Sequence, residues 1–102
     1  MMSAREYMYS FASALNLQQK TIHMAEMLLN EIERRLLSNG RSPPGVACAV
    51  LYISSKINRE KVTQRMLQEI GGITEVTIRN NYRIILKQMK DFIQSMIDYK
   101  NI

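Results

Sequence analysis

The sequence predicts a single all-helical domain, and three observations support this. Its 102 residues fit one domain. Apolar residues recur at spacings of three and four along most of the chain, which is the period of an amphipathic α-helix. Small polar residues that cap helices, and glycines that end them, stand between the periodic segments. The hydrophobic fraction of 46% and the charged fraction of 23% are those of a folded globular chain and not of a disordered one.

The first two helices are predicted over residues 3–15 and 18–38. Their apolar positions step by three and four residues: Ala4, Tyr7, Met8, Phe11, Ala12 and Leu15 in the first helix, and Ile22, Ala25, Leu29, Ile32 and Leu36 in the second. Asn39 and Gly40 follow the second helix, where a glycine commonly ends the helical run. We therefore expect each helix to bury one face and to expose the other.

The third helix is predicted to lie at the centre of the domain. Ser42 can cap its free N–H groups, and Pro43 and Pro44 stand in the first turn, where proline loses no needed donor. The residues from Val46 to Ile53 are apolar on every side of the helix, a pattern typical of burial all round. A buried strand is the alternative for so short an apolar run. The prolines and the three small residues from Ala47 to Ala49 favour the helix.

A helix-turn-helix is predicted within residues 63–90. Thr63 caps a short fourth helix that ends near Gly71, after a polar connector at 58–62. The pair Gly71–Gly72 supplies a tight turn, and Thr74 caps the fifth helix. Four apolar residues are expected to hold the two helices together: Leu67, Ile70, Ile73 and Ile78. Gln68 fits this arrangement poorly, because a small residue is usual where such helices cross. The tail 91–102 either extends the fifth helix or packs back on the domain.

The fifth helix carries two different faces. Its apolar stripe contains Ile78, Tyr82, Ile85, Met89 and Phe92, and its second stripe contains Val76, Arg79, Arg83, Lys87 and Lys90. No acidic residue stands between Arg79 and Lys90, and the whole chain has a net charge of +5. Such a stripe indicates a polyanionic partner, although a solvated helix face is the alternative.

In a helix-turn-helix the second helix enters the major groove of DNA with its N-terminal residues against the base edges. Base contacts are therefore predicted for Val76, Arg79 and Asn80, since arginine can donate two hydrogen bonds to guanine and asparagine can pair with adenine. Phosphate contacts, which fix the register without reading sequence, are predicted for six other side chains. These are Thr63, Gln64, Arg65, Thr77, Arg83 and Lys87.

Several classes of function are excluded by what the chain lacks. Cys48 and His23 are its only cysteine and histidine, so no internal disulfide and no structural zinc site is expected. With no nucleophile motif and no phosphate-binding glycine loop, we expect neither an enzyme nor a cofactor or small-molecule substrate. There is no membrane-spanning stretch and no signal peptide, so no membrane partner is expected and the protein should be soluble and intracellular.

Two motifs resemble those of transcription factor IIB and archaeal transcription factor B. The first runs from Gly40 to Pro43 and continues through Val46–Ser55, and the second comprises Thr63–Arg65 and Gly72–Asn80 with Tyr82 and Arg83. The resemblance implies a five-helix cyclin-like fold in which the last two helices form the helix-turn-helix. It also implies that residues 1–102 are a single cyclin-like repeat, the second of the two in that family. The sequence of residues 77–80 resembles the archaeal members of the family more than the eukaryotic ones.

For function, the resemblance implies contacts of Val76 and Arg79 with the B recognition element upstream of the TATA box. It implies assembly with TATA-binding protein on double-stranded promoter DNA. RNA polymerase would be a partner only through the full-length factor, because the zinc ribbon, the reader region and the first repeat are absent. The protein would lie in the cytoplasm or nucleoid if archaeal, and in the nucleus if eukaryotic. Val62, Met66 and Gln68 depart from the family pattern.

Two other functions remain open on the sequence. The chain could be a cyclin-like protein-interaction module without sequence-specific DNA binding, its basic stripe facing an acidic protein. It could also be an independent helix-turn-helix repressor, which would need a dimer interface and palindromic sites. DNA binding alone predicts an affinity that falls steeply with salt, with a log–log slope of about −0.9 per neutralised phosphate.

Overall fold

The computed structural model describes residues 2–100, and these residues form six α-helices and no strand. In chain order the helices are α1 (Ala4–Ala14), α2 (Gln19–Arg34), α3 (Pro43–Ile57), α4 (Gln64–Gly71), α5 (Glu75–Gln88) and α6 (Lys90–Lys100). The predicted all-α class is confirmed, and the tail adds a sixth helix after the helix-turn-helix. None of the six helices has both the length and the apolar character that a bilayer span requires.

Helix α3 is the centre of the domain, as its uniformly apolar sequence predicted. Every residue from Gly45 to Leu51 is buried, and so are Ile53, Ser54 and Ser55. The helix packs against α1, α2, α4 and α5. Its start is defined by Ser42, whose Oγ accepts a hydrogen bond of 3.1 Å from the N–H of Gly45. The helices that carry candidate functional residues are therefore positioned by one buried helix.

Three helices end at a residue in the left-handed backbone region that is not glycine. Asn16, Leu36 and Arg59 have φ values of 52°, 60° and 56° and follow the C-terminal residues of α1, α2 and α3. At each end the next N–H bonds back across the last turn, for example Leu37 N–H to the Ile32 carbonyl at 2.9 Å. This is the Schellman arrangement, which satisfies carbonyls that the ending helix would leave free.

The predicted C-terminal end of α2 was wrong by four residues. The apolar pattern placed it at residue 38, but α2 ends at Arg34 and Leu36 is 67% exposed. The reason is the left-handed conformation of Leu36, which turns the chain and lets Leu37 pack against the core instead. Gly40 does adopt a positive φ of 77°, as expected of a helix-ending glycine, but it lies in the turn that follows.

The connector between α3 and α4 is more buried than its polar sequence predicted. Val62 is buried in the core. Asn58 is buried as well, and its Nδ2 donates to the Lys20 carbonyl at 3.2 Å. The connector therefore joins the end of α3 to the start of α2 and fixes where α4 begins.

Helix α6 packs back on the domain and is attached near both of its ends. Ile93 and Met96 are buried among the other core residues. Near its start, Arg35 Nη2 lies 2.9 Å from the Asp91 carboxylate. This ion pair, chiefly through its hydrogen bonds, lowers the pKa of Asp91 below its ordinary value. At its end, Lys100 Nζ donates to the Ile57 carbonyl. Of the two alternatives for the tail, packing back is the one observed.

Candidate nucleic-acid interface

Helices α4 and α5 are joined by a short turn and form a helix-turn-helix. Thr63 Oγ1 accepts a hydrogen bond of 3.0 Å from the Met66 N–H and so caps α4. Gly72 turns the chain with a φ of 67°, in the left-handed region that favours glycine. Thr74 Oγ1 accepts from the Thr77 N–H at 3.2 Å and caps α5. Two threonines and a glycine thus set the length of the motif.

The two helices are held together by the apolar residues that the sequence identified. Leu67 and Ile78 are completely buried, and Ile70 and Ile73 are partly buried against the core. Small residues allow the close approaches of this motif to the central helix. A Cβ on Gly71 would lie 3.1 Å from the Sγ of Cys48, which leaves no free space for a larger side chain.

Gln68 has a role that the sequence reasoning missed. Its Oε1 accepts a hydrogen bond of 2.7 Å from the backbone N–H of Glu75, the first residue of α5. The first four N–H groups of a helix have no partner within the helix. Thr74 satisfies one of them and Gln68, reaching across from α4, satisfies another. A residue that departs from the expected small side chain therefore joins the two helices at the N-terminal end of α5.

Asn81 is a second residue that was not singled out. It is buried on the inner face of α5, and its Nδ2 donates to the Thr77 carbonyl at 2.8 Å. A Cβ on Gly45 would lie 3.0 Å from that same nitrogen, so α3 and α5 approach closely at this point. The Oδ1 of Asn81 has no hydrogen-bond partner within the part of the chain that the structure describes. In the sequence, only the position of Asn81 in the helical period indicated that this polar side chain would be buried.

The three predicted base-contacting residues lie together at the beginning of α5. Val76, Arg79 and Asn80 are related by three and four residues and therefore share one helix face. Val76 is 59% exposed, so its methyl groups are open to contact. Asn80 is exposed and Arg79 is partly exposed. An exposed aliphatic group beside a guanidinium can contact a thymine methyl and a guanine edge.

The predicted phosphate-contacting residues are distributed around this face. Arg83 and Lys87 continue along α5 and are exposed. At the start of α4, Arg65 is exposed and lies 3.4 Å from Glu69, a surface pair that contributes little stability. Thr63 and Thr77 are exposed, and both hydroxyls take part in the helix caps, with Thr77 Oγ1 3.0 Å from Thr74 Oγ1. Gln64, which follows Thr63, is partly exposed.

Within the part of the chain that the structure describes, the cationic groups of the basic stripe form no ion pair. Among residues 2–100, no carboxylate lies within 4.0 Å of the cationic groups of Arg79, Arg83, Lys87 or Lys90. By contrast, Arg5 and Arg35 connect distant parts of the fold through ion pairs. Arg5 lies 2.7 Å from Glu33, and Arg35 is paired with Asp91. The positive potential of α5 is therefore directed to solvent, where an anionic partner can reach it.

Metal and thiol chemistry have little support in the described residues. No group of three or more potential metal ligands occurs within residues 2–100. Burial raises the pKa of the Cys48 thiol to about 12, so it is held in its unreactive protonated form. His23 is exposed on α2, 3.7 Å from Glu26.

Comparison with known proteins identifies the family. The model of the transcription factor TFIIB repeat matches residues 1–88. Transcription initiation factor IIB 1 of Thermoplasma volcanium is 41% identical over 87 residues, which cover 85% of this chain and 28% of that protein. Transcription initiation factor IIB of Pyrococcus furiosus is 40% identical over 85 residues, 83% of this chain and 28% of that protein. The protein of the same name from Methanoculleus marisnigri is 42% identical over 84 residues, with shares of 82% and 25%.

The chain thus spans about a quarter of the length of the curated relatives that it matches. These relatives are initiation factors and not enzymes, in agreement with the sequence prediction. With the matching region covering helices α1 to α5, this chain belongs to the transcription factor TFIIB repeat family.

Proposed function

We propose that the chain is the second cyclin-like repeat of a TFIIB-type initiation factor and that its helix-turn-helix binds promoter DNA. In this proposal the start of α5 enters the major groove at the B recognition element. The observation that carries it is the basic stripe of α5, which forms no ion pair within residues 2–100, with the exposed Val76 at its N-terminal end. The assignment to the second repeat rests on the motif of residues 72–80, which resembles that repeat.

The proposed roles divide by position. Val76, Arg79 and Asn80 read base edges, because they occupy the first turns of the helix that enters the groove. The remaining six residues bind phosphates and set the register: Thr63, Gln64, Arg65, Thr77, Arg83 and Lys87. Phosphate contacts supply most of the affinity and base contacts supply the discrimination.

We further propose that the chain assembles on promoter DNA together with TATA-binding protein. A single small DNA-binding module buries only about 600–1,000 Å² of protein surface, so the isolated chain should bind weakly. A second protein on adjacent DNA would raise its apparent affinity by linking the two sets of contacts. Recruitment of RNA polymerase would belong to a full-length factor. The proposed site of action is intracellular, where promoter DNA is found.

The test is a gel-shift titration on duplexes with and without a B recognition element, each in the presence and absence of TATA-binding protein. Wild type should prefer the duplex with the element, and TATA-binding protein should tighten binding. Arg79→Ala should cost about 1–3 kcal/mol of binding free energy and reduce that preference. Lys87→Ala should weaken binding to both duplexes equally and reduce the salt slope by about 1.

Lys20→Ala, which removes an exposed lysine on α2 outside the motif, is the matched control and should bind as wild type does. Equal binding to the two duplexes by wild type and Arg79→Ala would contradict base reading by α5. Salt-independent binding would contradict DNA as the partner and favour the protein-interaction alternative. No response to TATA-binding protein would contradict the assembly.

A further inference from the structure

An apolar groove lies between α3, α5 and α6, away from the N-terminal end of α5. Its volume is about 340 Å³. Ile53 and Ile93 are nearly inaccessible and form its floor, whereas Leu86 on one wall is 39% exposed. The rings of Tyr52 and Tyr82 are tilted by 39°, with centroids 4.8 Å apart, and line the same groove. The wall from α6 lies beyond residue 88, where the TFIIB-repeat match ends, whereas the groove residues of α3 and α5 lie within the match.

The charged residues on the groove side of α3 and α6 are lysines. Among residues 2–100, Lys56 is the one charged residue that lines the groove, and its Nζ lies 5.1 Å from the Tyr52 ring centroid. On α6 the residues Lys90, Ile93, Ile97 and Lys100 follow at intervals of three and four, so an exposed lysine stands at each end of the two groove-lining isoleucines. Helix α3 has no acidic residue, and α5 has only Glu75 at its first position.

The acidic residues of α6 do not offset these cations. Asp91 is paired with Arg35, which follows α2, and Asp98 comes directly after Ile97, so it lies about 100° around the helix from that groove-lining residue. An apolar concave surface with lysines around it is complementary to an apolar stripe flanked by carboxylates. Ile93 and Ile97 are one helical turn apart, about 6 Å, which is the spacing of apolar anchors along a partner helix.

We propose that this groove binds an acidic amphipathic helix of another protein. A second copy of this chain is disfavoured, because a two-fold interface would place the lysines of one groove against those of the other. The interaction goes beyond the proposed promoter contact and does not depend on it, since none of the residues that line the groove is assigned a contact with DNA.

The probe is a fluorescein-labelled peptide of 18 residues with leucine and phenylalanine on one helical face and glutamate on the other, titrated in the absence of DNA. Anisotropy should rise on addition of the chain. A scrambled peptide of the same composition, and a peptide with lysine in place of glutamate, should bind at least about tenfold more weakly. Equal binding of the scrambled peptide would overturn the proposal, because general charge attraction would then suffice.

Variants locate the site. Leu86→Glu and Lys56→Glu should each weaken peptide binding at least about tenfold. Their matched controls make the same changes at exposed residues that do not line the groove, Leu36→Glu and Lys61→Glu, and should bind as wild type does. Circular dichroism checks that every variant is folded, and Leu86 and Lys56 are both accessible enough to be replaced.

Two results would overturn the assignment of this surface. One is a pair of groove variants that bind the peptide as tightly as their controls do. The other is loss of peptide binding in Arg79→Ala with full binding in Leu86→Glu, which would place the peptide on the stripe that we assign to DNA. Failure of DNA binding in the gel-shift titration would leave the peptide result unaffected, so the two proposals are separable.

Discussion

Replacing Gln68 by methionine should loosen the junction between α4 and α5. The change keeps the length and helix propensity of the side chain but removes the oxygen that accepts from the Glu75 N–H at 2.7 Å. A neutral hydrogen bond of this kind contributes about 0.5–1.5 kcal/mol net, and a buried donor left unpaired costs about 1–3 kcal/mol. Glu75 is only partly buried, so water can reach the freed N–H and the lower part of this range applies.

We therefore expect Gln68→Met to lower the free energy of unfolding by about 1 kcal/mol. In a domain of this size that corresponds to a fall in Tm of about 4–8 °C. The measurements are thermal unfolding followed by circular dichroism and hydrogen exchange of the Glu75 amide by NMR. Exchange of that amide should become faster, because the bond that protects it is gone.

Gln68→Glu is the matched control, since it retains an acceptor and places a negative charge at the positive end of the α5 dipole. It should remain within about 0.5 kcal/mol of wild type. The reasoning would be refuted by wild-type stability in Gln68→Met together with unchanged exchange at Glu75. Equal destabilisation by both variants would show that the side chain acts by packing and not as a cap.

Three further predictions concern other parts of the domain. Leu36→Gly should raise the free energy of unfolding by about 1 kcal/mol in chemical denaturation, because the exposed leucine of the wild type is held in a left-handed backbone conformation that glycine adopts without strain. A lower free energy of unfolding would contradict this. Hydrogen bonds from Arg34 and Arg35 lower the pKa of Glu31 from 4.5 to about 2, so its stabilising contribution is complete above pH 4.5 and is lost as pH falls through about 2. Glu31→Gln should accordingly lose less stability than wild type over that acidic range, and parallel acid-unfolding curves would argue otherwise. Cys48, with its pKa near 12, should react with an aromatic disulfide reagent at pH 8 far more slowly in the native than in the unfolded protein; fast native labelling would show that the thiol is accessible.

The starts of the helices were predictable from the sequence and their ends less so. Ser42, Thr63 and Thr74 each cap a helix through a hydrogen bond to a residue three positions later, a relation that lies within the local sequence. The end of α2 depends on Leu36 adopting a left-handed conformation while Leu37 packs on the core. That choice is made by tertiary packing, and the apolar pattern of α2 gave no sign of it.

The geometry of the candidate interface followed from the sequence only in part. The spacing of Val76, Arg79 and Asn80 places them on one helix face in any sequence that forms α5, and burial of Ile78 turns that face outward. Gln68 could not be assigned, because the distance from its side chain to the Glu75 N–H depends on how the turn folds. For α6, the sequence left two alternatives, and the ion pair between Arg35 and Asp91 joins residues too distant in sequence for periodicity to connect.

The burial of α3 from Gly45 to Leu51 separates the parts of this molecule that can vary from the part that cannot. Helix α3 touches four other helices, so a change in the volume of one of its side chains affects several of them at once. Pairs of substitutions that include α3 should therefore show strong energetic coupling. Substitutions on the outward sides of α5 and α6 share few neighbours and should combine additively, so the binding preferences of this repeat can diversify while its scaffold stays constant.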